Sequence, residues 1–174
     1  MSERAKVLVK EKIADSGVDQ LKENFDVEIG IDMDDAELAN RIGEFDAILI
    51  RSATKMTPEL IDLATNLKVI GRAGIGVDNV DIPAATAKGI VVMNTPFGNS
   101  ITTAEHAIAL MFAAARQIAV ADASTQAGKW EKNRFMGVEL FNKTLGIIGC
   151  GNIGAIVADR ALGLKMKVIA YDPF

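Results

Sequence analysis

The 174-residue sequence contains one cysteine, one histidine, one tyrosine, one tryptophan and four prolines. A lone thiol cannot close an internal disulfide, so Cys150 rules out a disulfide-stapled scaffold and suits a reducing compartment. No apolar run approaches the roughly eighteen residues that a membrane span needs. The chain passes from Met1 through Lys6 straight into an apolar strand, without a signal-peptide pattern. Basic stripes are absent too, and a net charge of −4 argues against an electrostatic grip on nucleic acid. No set of metal ligands stands out. The expectation is a soluble, cytoplasmic protein that holds any anionic ligand with local groups. A hydrophobic share of 49% against 24% charged residues leaves ample material for a core.

What the sequence does have is a patterned glycine turn. Gly149, Gly151 and Gly154 follow the apolar strand from Thr144 to Ile148 and precede a helix-forming run from Ala155 to Gly163. A second strand, Lys167 to Tyr171, then ends on Asp172. In that context Gly149 permits the tight turn, Gly151 lets the backbone approach a pyrophosphate, and Gly154 lets the helix pack close to the sheet. Phosphates would sit on the helix N-terminus, whose free N–H groups favour negative charge. A carboxylate at Asp172 would accept hydrogen bonds from a ribose diol and repel a 2′-phosphate, which favours NAD over NADP. Cys150 reads as a small filler of the turn.

The first part of the chain alternates short strands with helices. Strands are expected at 6–9, 27–31, 47–50, 67–70 and 90–93, with helices at 16–24, from Asp34, from Pro58, and at 83–88. Ser16, Asp34 and Thr57 are the expected caps, Pro58 suits a first helical position, and Gly89 ends the fourth helix. Five apolar strands joined by helices imply a parallel sheet covered on both faces. The stretch from Asn94 to Ser100 reads as a linker. Ser100 or Thr102 would cap one long helix running towards Ala123, with Glu105 completing a capping box. From Gln126 to Asn142 periodicity is lost, and Trp130, Phe135, Met136 and Phe141 lie among charges, as on a partner surface or a contact with the chain's own second domain.

Two stretches fall just past strand ends, where α/β proteins bind ligands. One is Arg51-Ser52-Ala53-Thr54-Lys55, and the other runs from Gly71 to Asp81 with Gly74 and Gly76 at its centre. In the second, three glycines alternating with small residues leave N–H groups free to form an anion-binding concavity, and Arg51 of the first can clamp a carboxylate or phosphate. Arg72 and Lys55 are weaker candidates for the same task.

Those two stretches, with Asn94-Thr95-Pro96 and the turn from Gly149 to Gly154, resemble the D-2-hydroxyacid dehydrogenases along essentially the whole chain. The resemblance implies an α/β protein with a flavodoxin-like, substrate-binding (catalytic) domain at 1–98. The start of a Rossmann NAD-binding domain follows at 99–174, with a connecting helix and a dimerisation segment at 117–142. It implies NAD-linked oxidation of 3-phosphoglycerate to 3-phosphohydroxypyruvate, the first step of L-serine biosynthesis. Glyoxylate or hydroxypyruvate reduction and a non-enzymatic NAD-sensing role are the alternatives. Arg51, Ser52, Gly74, Ile75, Gly76 and Val77 would face a small anionic 2-hydroxy acid, with Ile75 and Val77 near the nicotinamide. Gly149, Gly151, Asn152, Ile153, Gly154 and Asp172 would hold the rest of NAD. The family's catalytic arginine, glutamate and histidine are expected downstream of Phe174, in a longer enzyme, and none is assigned in this chain. His106 lies in the long helix and is read as a packing or interdomain residue. Asn152 stands where many relatives carry arginine or lysine. The resemblance also implies a homodimer or homotetramer; because a phosphate needs more positive charge than a bare carboxylate, Lys132 or Arg134, the cations flanking Trp130 and Phe135, is expected to reach a neighbouring subunit's site in a dimer.

Overall fold

The computed structural model describes residues 4–174, so the lead Met1 to Glu3 lies outside the described residues. The chain divides into two compact units, 1–98 and 99–174. The first contains β1 (Lys6–Val9), α1 (Asp15–Lys22), β2 (Asp26–Ile29), α2 (Asp35–Arg41), β3 (Ala47–Ile50), α3 (Pro58–Leu63), β4 (Val69–Arg72), α4 (Ile82–Ala87) and β5 (Val91–Asn94). All pairings are parallel, in the order β2-β1-β3-β4-β5. The chain steps one way from β1 to β2 and the other way through β3, β4 and β5. Right-handed crossovers therefore put α1 on one face and α2, α3 and α4 on the other.

Side-chain alternation along the strands decides which face closes. Leu8, Ile48, Ile50 and Ile70 point towards α2–α4 and form one buried cluster with Leu38, Ile61, Ala64 and Ala85. Val7 and Val9 are buried on the opposite side, as is Val18 of α1, but Val91 and Met93 of β5 are 55% and 58% exposed. The expected two-sided cover is thus only partial within this unit, because a single helix cannot span five strands. Capping follows local chemistry in three of the helices: the side chains of Asp34, Thr57 and Asp81 accept from Glu37, Leu60 and Ala84 N–H respectively. Ser16 is not the cap of α1, which begins one residue earlier behind Ala14 with no side-chain cap.

The second unit contains α5 (Ser100–Ala115), α6 (Ile118–Gln126), β6 (Thr144–Ile148), α7 (Asn152–Gly163) and β7 (Lys167–Tyr171), with β6 and β7 parallel. The long helix expected from Ser100 to Ala123 is two helices at 63° to one another. Gln117 takes a left-handed φ of 54°. The physical reason lies downstream: Val138 N–H donates to the Ala115 carbonyl at 2.7 Å and so ends α5 from outside its own ladder. Asn99, without a side-chain bond, occupies the N-cap of α5. The expected capping box does not form, since Thr102 and Glu105 lie inside the helix and Glu105 pairs with Arg160 of α7 at 3.1 Å. Ala104 and Ala161 are fully buried on α5 and α7, and their small side chains allow those helices to approach closely. Ile148, Ile169 and Tyr171 leave one face of the two-stranded sheet open, with Ile148 91% exposed. Among the described residues no single helix is long and apolar enough to cross a membrane.

Ile48 is fully buried on the central strand of the first unit. Ile48→Ala should cost about 2–5 kcal/mol of stability, read as a lower urea midpoint for that unit.

Candidate functional site

The neighbouring strands β1, β3 and β4 end at one edge of the sheet, and their following loops carry Glu11, Arg51 to Lys55, and Ala73 to Asp81. In a sheet of this order the switch point lies between β1 and β3, where a ligand crevice is expected. Here the chain's own carboxylate fills it. Glu11 Oε1 accepts from Arg51 N–H at 2.8 Å and Thr54 N–H at 2.9 Å, and Oε2 accepts from Ala53 N–H at 3.2 Å. The Arg51, Ala53 and Thr54 amides are therefore already satisfied internally. Burial by itself raises the Glu11 carboxyl, but the Thr54 and Arg51 amides, the Thr54 hydroxyl and the Ala53 amide outweigh it, so its pKa lies below the ordinary glutamate range.

The loops after β3 and β4 are stitched side by side. Met56 N–H donates to Asn79 O at 2.8 Å and Asp81 N–H to Met56 O at 2.9 Å. The Asn79 side-chain amide donates to Arg51 O and Thr54 O, both at 2.7 Å. Ser52 and Lys55 line a shallow groove with Asp78 and Asn79. Further along, Asn94 Nδ2 donates to Ile75 O at 2.6 Å and Thr95 N–H to Gly74 O at 2.9 Å, which pins the carbonyls of the second loop. The N–H groups of Ile75, Gly76 and Val77 have no partner among the described residues. Donors free on a loop whose carbonyls are pinned suit an incoming anion.

Two cations flank these loops. Arg51 is exposed, and its guanidinium makes only a long 3.5 Å contact to Lys12 O. Arg72, expected in a loop, is the last residue of β4. Its Nε is buried without a hydrogen-bond partner, and no carboxylate among the described residues pairs with it. A Cβ at Gly74 would collide with its guanidinium, so the loop lies directly against that charge.

In the second unit the glycine turn joins β6 to α7, and its three glycines have three different grounds. Gly149 has φ +88°, and its N–H donates to Tyr171 O at 2.8 Å. Any Cβ at Gly154 would strike the Gly149 carbonyl, so helix and turn meet only over glycine. Gly151 has an ordinary φ of −66° and open space around its ideal Cβ, so nothing inside the chain requires glycine there. What remains is approach from outside. The helix begins at Asn152, three residues earlier than expected, so Asn152, Ile153 and Gly154 form its first turn and their N–H groups have no intrahelical acceptor. Asp172 braces the turn: Oδ2 accepts from Cys150 N–H at 2.5 Å and Oδ1 from Phe174 N–H at 3.0 Å. Each oxygen keeps acceptor capacity for a further donor.

His106 is exposed on α5. Trp130, Met136 and Phe141 are exposed in the irregular segment, Trp130 at 86%. Lys132 lies beside Trp130, and Arg134 pairs with Glu131 at 3.1 Å. Among the described residues no group of three or more His, Cys, Asp or Glu is placed to hold a metal ion. Glu11, Asn79 and Asn94 are the site residues that reading the sequence did not single out for these roles. Asn94 lay within a recognised motif, whereas Glu11 is 40 residues from Arg51 and no local pattern joins them.

Residues 7–161 match the D-isomer specific 2-hydroxyacid dehydrogenase, catalytic domain, family, and the chain belongs to it. It is 54% identical over 170 residues to a D-3-phosphoglycerate dehydrogenase of Archaeoglobus fulgidus, covering 97% of this chain and 32% of that protein. A glyoxylate reductase structure from Paecilomyes thermophila superposes with a TM-score of 0.88 at 30% identity, covering 98% of this chain and 56% of that one. The cofactor (NAD+) bound 3-phosphoglycerate dehydrogenase of Entamoeba histolytica superposes at 0.75 with 33% identity, covering 98% and 55%. The chain thus spans about a third of the length of the curated relatives it matches.

Acidification should release the first loop. Because the Glu11 pKa is lowered by folding, its contribution is present above the unfolded value and is lost as pH falls through the folded one. Amide exchange at Arg51, Ala53 and Thr54, corrected for intrinsic rate, should therefore rise below the ordinary glutamate range while the buried strands stay protected. Gly154→Ala should destabilise the second unit by about 1–3 kcal/mol, read by thermal melting, whereas Gly151→Ala should stay within about 0.5 kcal/mol of the parent.

Proposed function

We propose that the protein carrying this chain oxidises 3-phosphoglycerate to 3-phosphohydroxypyruvate with NAD, the first step of L-serine biosynthesis. The observation that carries this reading is the loop after β4, where the amides of Ile75, Gly76 and Val77 are free and Arg72, without a carboxylate partner, lies against Gly74, while Arg51 on the neighbouring loop is exposed and likewise has no carboxylate partner. A substrate with both a carboxylate and a phosphate needs more positive charge than a bare 2-hydroxy acid, and two unpaired guanidiniums supply it. The high identity to a D-3-phosphoglycerate dehydrogenase supports the same choice.

The glycine turn fits a dinucleotide. Gly151 leaves open space at the start of α7, the first-turn amides are free for a pyrophosphate, and Asp172 is held where a ribose diol can donate to it. NAD, when bound, supplies the acceptor for the C2 hydride. This chain's residues then have two tasks: Arg51, Ser52 and the 74–77 loop bind and orient the acid, and residues 149–154 with Asp172 hold the cofactor. On this reading the base that takes the C2 hydroxyl proton belongs to the part of the relatives that this chain does not span. The exposed Trp130, Met136 and Phe141 support a homodimer or homotetramer formed through residues 117–142, and the protein works in the cytoplasm.

A second reading, glyoxylate or hydroxypyruvate reduction, is favoured by the close superposition on a glyoxylate reductase. The two are separated by NADH formation measured with 3-phosphoglycerate, glycerate and lactate side by side in the full-length enzyme. The phosphorylated acid should be preferred, and Arg51→Ala should lower kcat/KM for it by at least about tenfold. Equal rates with glycerate would reject the phosphoglycerate assignment. Gly151→Ala should weaken NADH binding at least about tenfold at unchanged melting temperature.

A further inference from the structure

We propose that Glu11 is the positioning residue of the substrate loop, holding the Arg51, Ala53 and Thr54 amides so that Arg51 and Ser52 are presented to the acid. The inference rests on the substrate reading above for the second of its consequences and on geometry alone for the first.

One carboxylate takes three consecutive-loop amides at 2.8, 3.2 and 2.9 Å, using both oxygens. Bonds from N–H to an ionised acceptor are the stronger kind. Nothing else ties those N–H groups down: among the described residues they have no backbone acceptor outside the sheet. The opposite side of the loop is held at its carbonyls by Asn79, so donors and acceptors are fixed from two directions. Between those clamps the Ser52 N–H has no partner among the described residues, and the Arg51 guanidinium is exposed. The anchoring side chain comes from the loop after β1, which keeps it out of the groove that Ser52 and Lys55 line. Glu11 also closes the switch point between β1 and β3 to outside anions, which directs a ligand to the free amides after β4.

The test compares Glu11→Ala and Glu11→Gln with the parent in the full-length enzyme. Without substrate, Glu11→Ala should speed amide exchange at Arg51, Ala53 and Thr54 by at least about tenfold. With substrate, the KM for the acid should rise about tenfold or more, while kcat and the KM for NAD stay within about twofold. Millimolar formate should reverse both changes by refilling the vacated amides. Glu11→Gln should fall between, because one amide oxygen still accepts from Arg51 and Thr54 while its NH2 faces the Ala53 N–H. Unaltered exchange in both variants would overturn the proposal. So would a parallel loss in kcat, NAD affinity and melting temperature that formate does not repair, since that pattern marks a general packing role. If Glu11→Ala fails to fold, the amide exchange and the KM for the acid in Glu11→Gln decide alone. Should the parent enzyme turn over no 2-hydroxy acid, the functional reading fails, and the exchange and formate arms still judge Glu11.

Discussion

At the carboxyl edge of the five-stranded sheet, backbone amides that leave the strand ladder must find other acceptors, and the way they do so governs the site. Glu11 satisfies the loop after β3, and Asn79 satisfies that loop's carbonyls. Asn94 and Thr95 satisfy carbonyls of the loop after β4, whose Ile75, Gly76 and Val77 amides have no partner among the described residues. Among the described residues, the three consecutive amides left without a partner, at Ile75, Gly76 and Val77, thus lie one strand away from the switch point of the sheet order. The buried cluster under α2–α4 matters to the site because it holds β1, β3 and β4 in register, so that all three loops emerge at one edge.

In the second unit the corresponding constraint is steric. The Gly149 carbonyl lies where a Cβ at Gly154 would be, so the turn and the first helical turn form one rigid piece. Asp172 adds a tie across to the end of β7 through Cys150 N–H. Its carboxylate therefore serves the protein's own backbone, and losing it would disturb the turn.

Both units carry apolar surface that their own elements leave uncovered: Val91 and Met93 on the first, Ile148, Ile169 and Tyr171 on the second. Strand alternation puts these residues opposite the faces that α2–α4 and α7 cover. The break at Gln117 changes the connecting segment in a related way. A single straight helix would carry its apolar stripe onward, whereas the bend re-aims α6, and the irregular stretch anchors back on Ala115 through Val138.

Local patterns in the sequence sufficed for the parallel α/β class, the glycine turn, Asp34 and Thr57 as caps, and the two loops that leave β3 and β4 at one edge of the sheet. Each depends on neighbours within a few residues, or on periodicity that any window of the chain reveals. Strand boundaries shifted by up to two residues, enough to move Arg72 from loop to strand, because a strand's ends are set by its partner's register. The broken helix was not legible, since its cause, Val138, lies over twenty residues beyond the break and acts through one hydrogen bond. Glu11 was not legible for the same reason. Its partners are 40 to 43 residues away and are backbone amides, which every residue except proline possesses. Sequence alone determined which chemical groups this protein has available and on which kinds of element they lie. Only the tertiary structure decided which of those groups satisfy one another and which remain free for a ligand, because that depends on distances between segments that no local pattern encodes.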